Sequence, residues 1–180
     1  MQEITLVKAS DIPRNGLNDR VNNRIDLIAN TLVYLIGQGV INIHNLSGEI
    51  LDFGPGEGAS THVLKQYGGK VRVVDLSDKL VQEAIRQGII KSDEAVIADG
   101  FDYLDHSVVP DSLDFLACIR SIYFPPQELL NRAERVLKSG GQLLMGKQKE
   151  DMDLYDLNSL NQCGQVIEYG IDRNFIFTKP

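Results

Sequence analysis

From residue 48 onward two kinds of segment alternate, and this alternation constrains the fold more than any other feature of the chain. The runs 48–53, 70–75, 94–98, 113–119 and 142–146 are short and apolar, the pattern of strands covered on both faces. Helical stretches lie between most of them. The spacing predicts helices over 60–67, over 77–87 with Ser77 as N-cap and Leu80, Val81, Ala84 and Ile85 on one face, and over 127–138. The last is opened by Pro125 and Pro126, carries Leu129, Leu130, Ala133, Val136 and Leu137 at helical spacing, and is stopped by Gly140 and Gly141. Strand, helix, strand in repetition requires right-handed crossovers and a parallel sheet with helices on both sides.

The connection 99–112 is polar and short, and predicts no more than one turn around 101–104. Past the fifth strand, 152–160 has the pattern of a short helix, and 165–169 and 175–178 flank a turn at 170–174, which makes a closing hairpin. Ahead of the repeating part, 17–36 carries Val21, Ile25, Ile28, Leu32 and Leu35 at intervals of three or four, an amphipathic helix expected to pack on the sheet or cover its open edge. The expected architecture is therefore a doubly wound α/β fold. It has a mostly parallel seven-stranded sheet, a C-terminal antiparallel hairpin and an added N-terminal helix. At 180 residues the chain fits one structural domain. Within it, 1–45 forms the N-terminal helix and a candidate lid, and 46–180 the ligand-binding unit. The polar stretch 1–16 is expected to be a movable flap.

Composition removes several function classes. A net charge of −7 argues against wrapping a phosphate backbone, so nucleic acid is an unlikely partner. No apolar run approaches the roughly 18 residues of a membrane span, and no basic segment leads into an apolar one at the N-terminus, so a cytoplasmic protein without membrane contact is expected. Cys118 lies inside an apolar run and Cys163 stands alone, which leads us to expect neither a disulfide nor a metal site. The mixed charges of 147–153 read as solvated surface.

The chemistry concentrates at 50–60, where a buried strand runs through Asp52 into Gly54, Gly56 and Gly58 and then into a helix. Glycines there allow a tight turn and close approach of a ligand to the main chain, and the helix start offers unpaired N–H groups. Gly54, Gly56 and Ala59 also satisfy the relaxed dinucleotide pattern, so the loop alone does not choose its ligand. Asp75 ends the second strand 21 residues after Gly54. That offset suits an acid meeting ribose hydroxyls; capping the following helix is its simpler role. Asp99 ends the third strand and is followed by Gly100 and Phe101; a turn-forming Asp-Gly beside a core Phe is the simpler reading of that trio.

Together these segments resemble the class I S-adenosylmethionine-dependent methyltransferases. Asp52 ahead of Gly54, Gly56 and Gly58 resembles their motif I, Asp75 their motif II acid, and Asp99 with Phe101 their motif III. Asp111-Ser112-Leu113-Asp114-Phe115 resembles the lead into their fourth strand, and 133–143 their following helix, turn and fifth strand. The resemblance covers about 46–180. It implies S-adenosylmethionine as cofactor, held by Asp52, Gly54, Gly56, Gly58, Asp75, Leu76, Asp99, Gly100 and Phe101, and methyl transfer to a small molecule or a protein side chain.

The acceptor side is less legible. Ligands of such sheets bind outside the carboxyl ends of the strands, which singles out Arg120 and Tyr123 after the fourth strand, with His62 in the helix after the glycine loop. Arg120 would hold an acidic substrate or the cofactor carboxylate, and Tyr123 would orient an acceptor. A surface arginine, a core aromatic and a structural histidine are the plain alternatives. The segment 120–126 is not the Asp/Asn-Pro-Pro-Tyr/Phe of the methyltransferases that act on nucleic-acid amino groups. Two rivals stand beside an active methyltransferase. One is a cofactor-binding partner or regulatory module without catalysis; the other is an NAD-dependent oxidoreductase, in which Asp99 would have no purpose.

Overall fold

The computed structural model describes residues 5–121, 125–148, 162–170 and 172–180. Helix α1 (Asp19–Gly37) opens on Asn18, whose side chain accepts a hydrogen bond from the Val21 amide. Then follow β1 (Glu49–Phe53), α2 (Ala59–Lys65), β2 (Lys70–Asp75), α3 (Asp78–Arg86), β3 (Ala95–Ile97), α4 (Gly100–His106), β4 (Leu113–Ile119), α5 (Pro126–Val136), β5 (Leu137–Gln148), β6 (Gln165–Tyr169) and β7 (Asp172–Thr178). The seven strands lie in the order β3-β2-β1-β4-β5-β7-β6. β3 through β5 run parallel, and β7 joins β5 and β6 antiparallel. This is the doubly wound sheet with a closing hairpin that the strand-helix alternation predicts.

Successive strand residues feed two separate cores, as the two-residue period demands. Ile50, Val73, Phe115, Ala117 and Leu144 face α1, α2 and α3, where Val21, Ile25, Leu32, Val63, Leu64 and Val81 complete the packing. Leu51, Val74, Leu116, Cys118 and Leu143 face α4 and α5, against Leu104, Leu129, Leu130, Ala133 and Val136. All five apolar positions predicted for the N-terminal helix are buried, and α1 packs beside α2 as a member of the first core.

Three boundaries differ from expectation. The stretch 100–106 is a true helix: Asp99 Oδ1 accepts from the Phe101 and Asp102 amides, and only Leu104 is fully buried, so no apolar periodicity announced it. Helix α5 ends at Val136, and β5 begins at once, because Leu137 already pairs with Leu113 while Gly140 and Gly141 bond the backbone of Lys179. β7 starts at Asp172, paired with Tyr169, so the hairpin turn is tighter than 170–174. The helix predicted over 152–160 lies outside the described residues. Among those described, no helix is long and apolar enough to cross a membrane.

The N-terminal segment, expected to be a movable flap, is docked on the fold in this structure. Ile12 is buried in the first core, Pro13 O accepts from His62 Nε2 at 2.6 Å, and Arg14 pairs with Asp26 and donates to the carbonyls of Ala9 and Asn22. Val7 and Ala9 pack partly buried against the same core, so apolar contacts as well as polar ties dock this stretch.

Candidate functional site

The carboxyl ends of β1, β2, β3 and β4 open on one cleft of about 330 Å³, where the strand order reverses between β1 and β4. From β1 the chain turns through Gly54, Gly56 and Gly58, all with positive φ (67°, 60° and 89°). Gly54 admits no side chain, since a Cβ there would stand 2.1 Å from Ser121 Oγ. Gly54 and Gly56 line the cleft. Gly58 does not: it is the N-cap of α2, and its α-carbon faces Ile89 and Ala84.

Asp52 sits beneath the loop rather than in the cleft wall. It is wholly buried, and one carboxylate oxygen accepts from both Ser60 Oγ and Thr61 Oγ1 at 2.7 Å. These bonds clamp the first turn of α2 to the end of β1. The other oxygen meets no donor among the described residues. Burial pushes the Asp52 pKa up to about 6, against the opposing pull of the two hydroxyls and with a further push from Asp75.

Asp75 is in the wall, and both its oxygens are engaged by main chain: Oδ2 accepts from the Gly56 amide at 3.0 Å and Oδ1 from the Ser77 amide at 2.8 Å. The carboxylate thus ties β2 to the glycine loop, and each oxygen keeps a lone pair for a ligand hydroxyl. The capping of α3 falls to Ser77 Oγ instead, as its position predicts. Next to Asp75, Leu76 is 74% exposed, an unusual posture for leucine and one that offers an apolar surface to the cleft.

At the end of β3, Asp99, Gly100 and Phe101 all line the cleft. Asp99 spends Oδ1 on capping α4. Gly100 lies against the ring of Phe53, where a Cβ would come within 2.4 Å of it. Phe101 packs on Phe53 with ring centres 5.6 Å apart, and the Arg132 guanidinium lies 4.4 Å over the Phe101 ring. From β4, Ile119, Arg120 and Ser121 close the far wall. Arg120 holds φ at 57°, strained for an arginine, and its guanidinium forks onto the buried Asp172 at 2.7 and 3.2 Å. Tyr123 lies outside the described residues. His62 does not line the cleft; its ring is turned to Pro13.

Sequence reasoning missed part of the wall. Arg20, Arg24, Glu57 and Leu80 line it too. Arg20 and Arg24 share a face of α1 at the i,i+4 spacing, a signal visible in the sequence whose direction was not. Glu57 accepts from Arg20 Nη1 at 2.9 Å and from Asn18 Nδ2 at 3.0 Å, which ties the glycine loop to α1.

A loop of this shape on a doubly wound sheet invites comparison with known proteins. The family model for a methyltransferase domain matches residues 51–145, the stretch from β1 through β5. The chain belongs to this methyltransferase-domain family. Three solved structures share the domain's fold at low identity. The PH0226 protein from Pyrococcus horikoshii OT3 superposes with a TM-score of 0.63 at 17% identity, covering 92% of this chain and 94% of that one. Human methyltransferase-like protein 13, in complex with SAH, gives 0.60 at 18% identity over 78% and 77% of the two chains. A SAM-dependent methyltransferase from Aquifex aeolicus gives 0.60 at 17% identity over 82% and 88%. No curated protein sequence matches the chain. The methyltransferase domain therefore has the class I, Rossmann-like architecture, and the family match covers the glycine loop, Asp75, Asp99 and the end of β4, while α1 lies outside it.

Proposed function

We propose that this chain transfers a methyl group from S-adenosylmethionine to a small molecule or a protein side chain. The supporting observation is the convergence in one cleft of a glycine turn, a carboxylate after β2 and an acid-aromatic pair after β3. When bound, S-adenosylmethionine supplies a methyl group on a sulfonium that passes by in-line displacement to an acceptor lone pair. The chain's part is to hold and orient. Gly54 and Gly56 let the amino-acid portion approach the main chain, Asp75 accepts from the ribose hydroxyls, and Leu76 and Phe101 cover the adenine while Asp99 Oδ2 accepts from its amino group. These contacts use lone pairs and surface that the fold leaves available. Positioning of the acceptor opposite the methyl group carries the acceleration: among the described residues no histidine lines the cleft, and Glu57, Asp75 and Asp99 each have an oxygen held by an arginine or by backbone amides.

That no histidine is among the described residues of the cleft favours a second reading, a cofactor-binding module that serves as a partner without turnover. Calorimetric titration with S-adenosylmethionine, S-adenosylhomocysteine and NAD tests the cofactor. Binding of both sulfur compounds and not of NAD is expected, and saturable NAD binding alone would sink the assignment. Labelled S-adenosylmethionine incubated with cell extract then separates enzyme from module by whether label moves.

A further inference from the structure

Three arginines converge on the cleft, two from α1 and one from the end of β4, in a protein of net charge −7. Two have counter-ions: Arg20 pairs with Glu57 and Arg120 with Asp172. Arg24 makes no hydrogen bond or ion pair among the described residues, although it is half-buried in the cleft wall. Partial burial, then the like charges of Arg20 and Arg120, push its guanidinium pKa below the ordinary value, and Glu57 only partly offsets them. The group remains charged at neutral pH, because an arginine starts so high. A cation held among cations without a partner is electrostatically incomplete, and an anion arriving there would relieve both the desolvation and the repulsion.

Position indicates which ligand brings that anion. The part of the chain shared with the methyltransferase-domain family, 51–145, contains the glycine loop, Asp75 and Asp99, whereas Arg20 and Arg24 come from a helix outside it. What is common to a family is expected to serve the common ligand, and an added element the individual one. The charges that act on Arg24 are those of Arg20, Arg120 and Glu57, on α1, at the end of β4 and in the glycine loop, and not those at the ends of β2 and β3.

We propose that Arg24 is the anion receptor of this cleft and that it recognises a carboxylate on the methyl acceptor, so the acceptor is an acidic molecule. Arg20, one helical turn away, adds to the field without forming the contact, its own guanidinium being held by Glu57. This rests on the methyltransferase reading above and narrows its substrate class.

The test uses the full chain saturated with S-adenosylhomocysteine, titrated calorimetrically with benzoate and succinate and with their neutral counterparts benzamide and succinamide. Melting curves of the variants confirm folding. The acids should bind saturably and the amides should not. Arg24→Met keeps the length and apolar stem of the side chain; it should weaken acid binding about tenfold, with Arg24→Lys recovering part of the loss, while S-adenosylhomocysteine affinity stays within about twofold. Equal binding of acids and amides, or acid binding that ignores Arg24→Met, overturns the proposal. A roughly tenfold loss of S-adenosylhomocysteine affinity in Arg24→Met overturns it differently, by assigning the arginine to the cofactor's own carboxylate. If the wild-type chain binds no S-adenosylhomocysteine at all, the cofactor reading fails, and the same acid and amide titrations on the free protein still decide the role of Arg24.

Discussion

Two aspartates one strand apart illustrate how identical side chains take different work from their surroundings. Asp52 is buried with one oxygen unpartnered among the described residues, and burial raises its pKa to about 6. A carboxyl raised in the fold holds its proton to higher pH than in the unfolded chain, so the folded state is favoured below about pH 4. That advantage is lost as pH rises through about 6, a change of about 3 kcal/mol. Asp52→Asn keeps an acceptor for Ser60 and Thr61 and cannot ionise. Chemical denaturation at a series of pH values should therefore show the wild type losing stability relative to the variant between about pH 4 and 6; parallel curves would mean that Asp52 titrates normally. Asp75 instead stands at the cleft surface with both oxygens held by backbone amides. Asp75→Ala should weaken S-adenosylmethionine binding by about 1 to 3 kcal/mol, read by calorimetry, and an unchanged affinity would leave it only the loop-tying role.

Among the elements, α1 carries the largest revision of what the sequence implies. Its apolar stripe foretold a packed helix, but not that its polar flank would supply Arg20 and Arg24 to the cleft. Ahead of it, Ile12 is 3% exposed, and a buried isoleucine is worth about 1.5 to 3 kcal/mol. Deleting residues 1–16 should lower the melting temperature by roughly 3 to 12 °C, given about 2 to 4 °C per kcal/mol at this chain length. Cofactor affinity should change little, because none of residues 5–16 lines the cleft. A truncated chain that melts unchanged but binds cofactor poorly would mean that the segment acts as a flap.

For the whole molecule, the cleft sits where four strand ends, two helix starts and the glycine loop meet, so a ligand bound there bridges elements that the unfolded chain does not hold together. S-adenosylhomocysteine at about 100 times its dissociation constant should add about 2.7 kcal/mol to stability and raise the melting midpoint by roughly 5 to 11 °C. NAD at equal concentration should leave the midpoint in place. A scan in which neither compound moves the transition would count against the cofactor reading.

The strand-helix alternation, the buried strands and the glycine turn were readable directly, because backbone periodicity and turn chemistry are local: Ser77 caps where its position says, and Leu113 to Ile119 is a strand over its full predicted length. Residues at strand ends were also legible as a group, since a parallel sheet delivers all its carboxyl ends to one side. What remained hidden depended on contacts between distant parts of the chain. Helix α4 carries only one fully buried side chain, so its stability comes from the Asp99 cap and from the neighbours that Leu104 meets, not from a stripe in its own sequence. Asp52 looks like any acid beside a glycine loop until packing seals it beneath Ser60 and Thr61. His62 lies one turn into α2, yet its rotation about that helix points it to Pro13 and away from the cleft. Arg24 is separated from Arg120 by 96 positions, 120 − 24, and no periodicity relates them. Local spacing thus determined the elements and the loop, and only the tertiary packing decided which charged side chains face one another across the cleft, because electrostatic partners are set by distance in space and not along the chain.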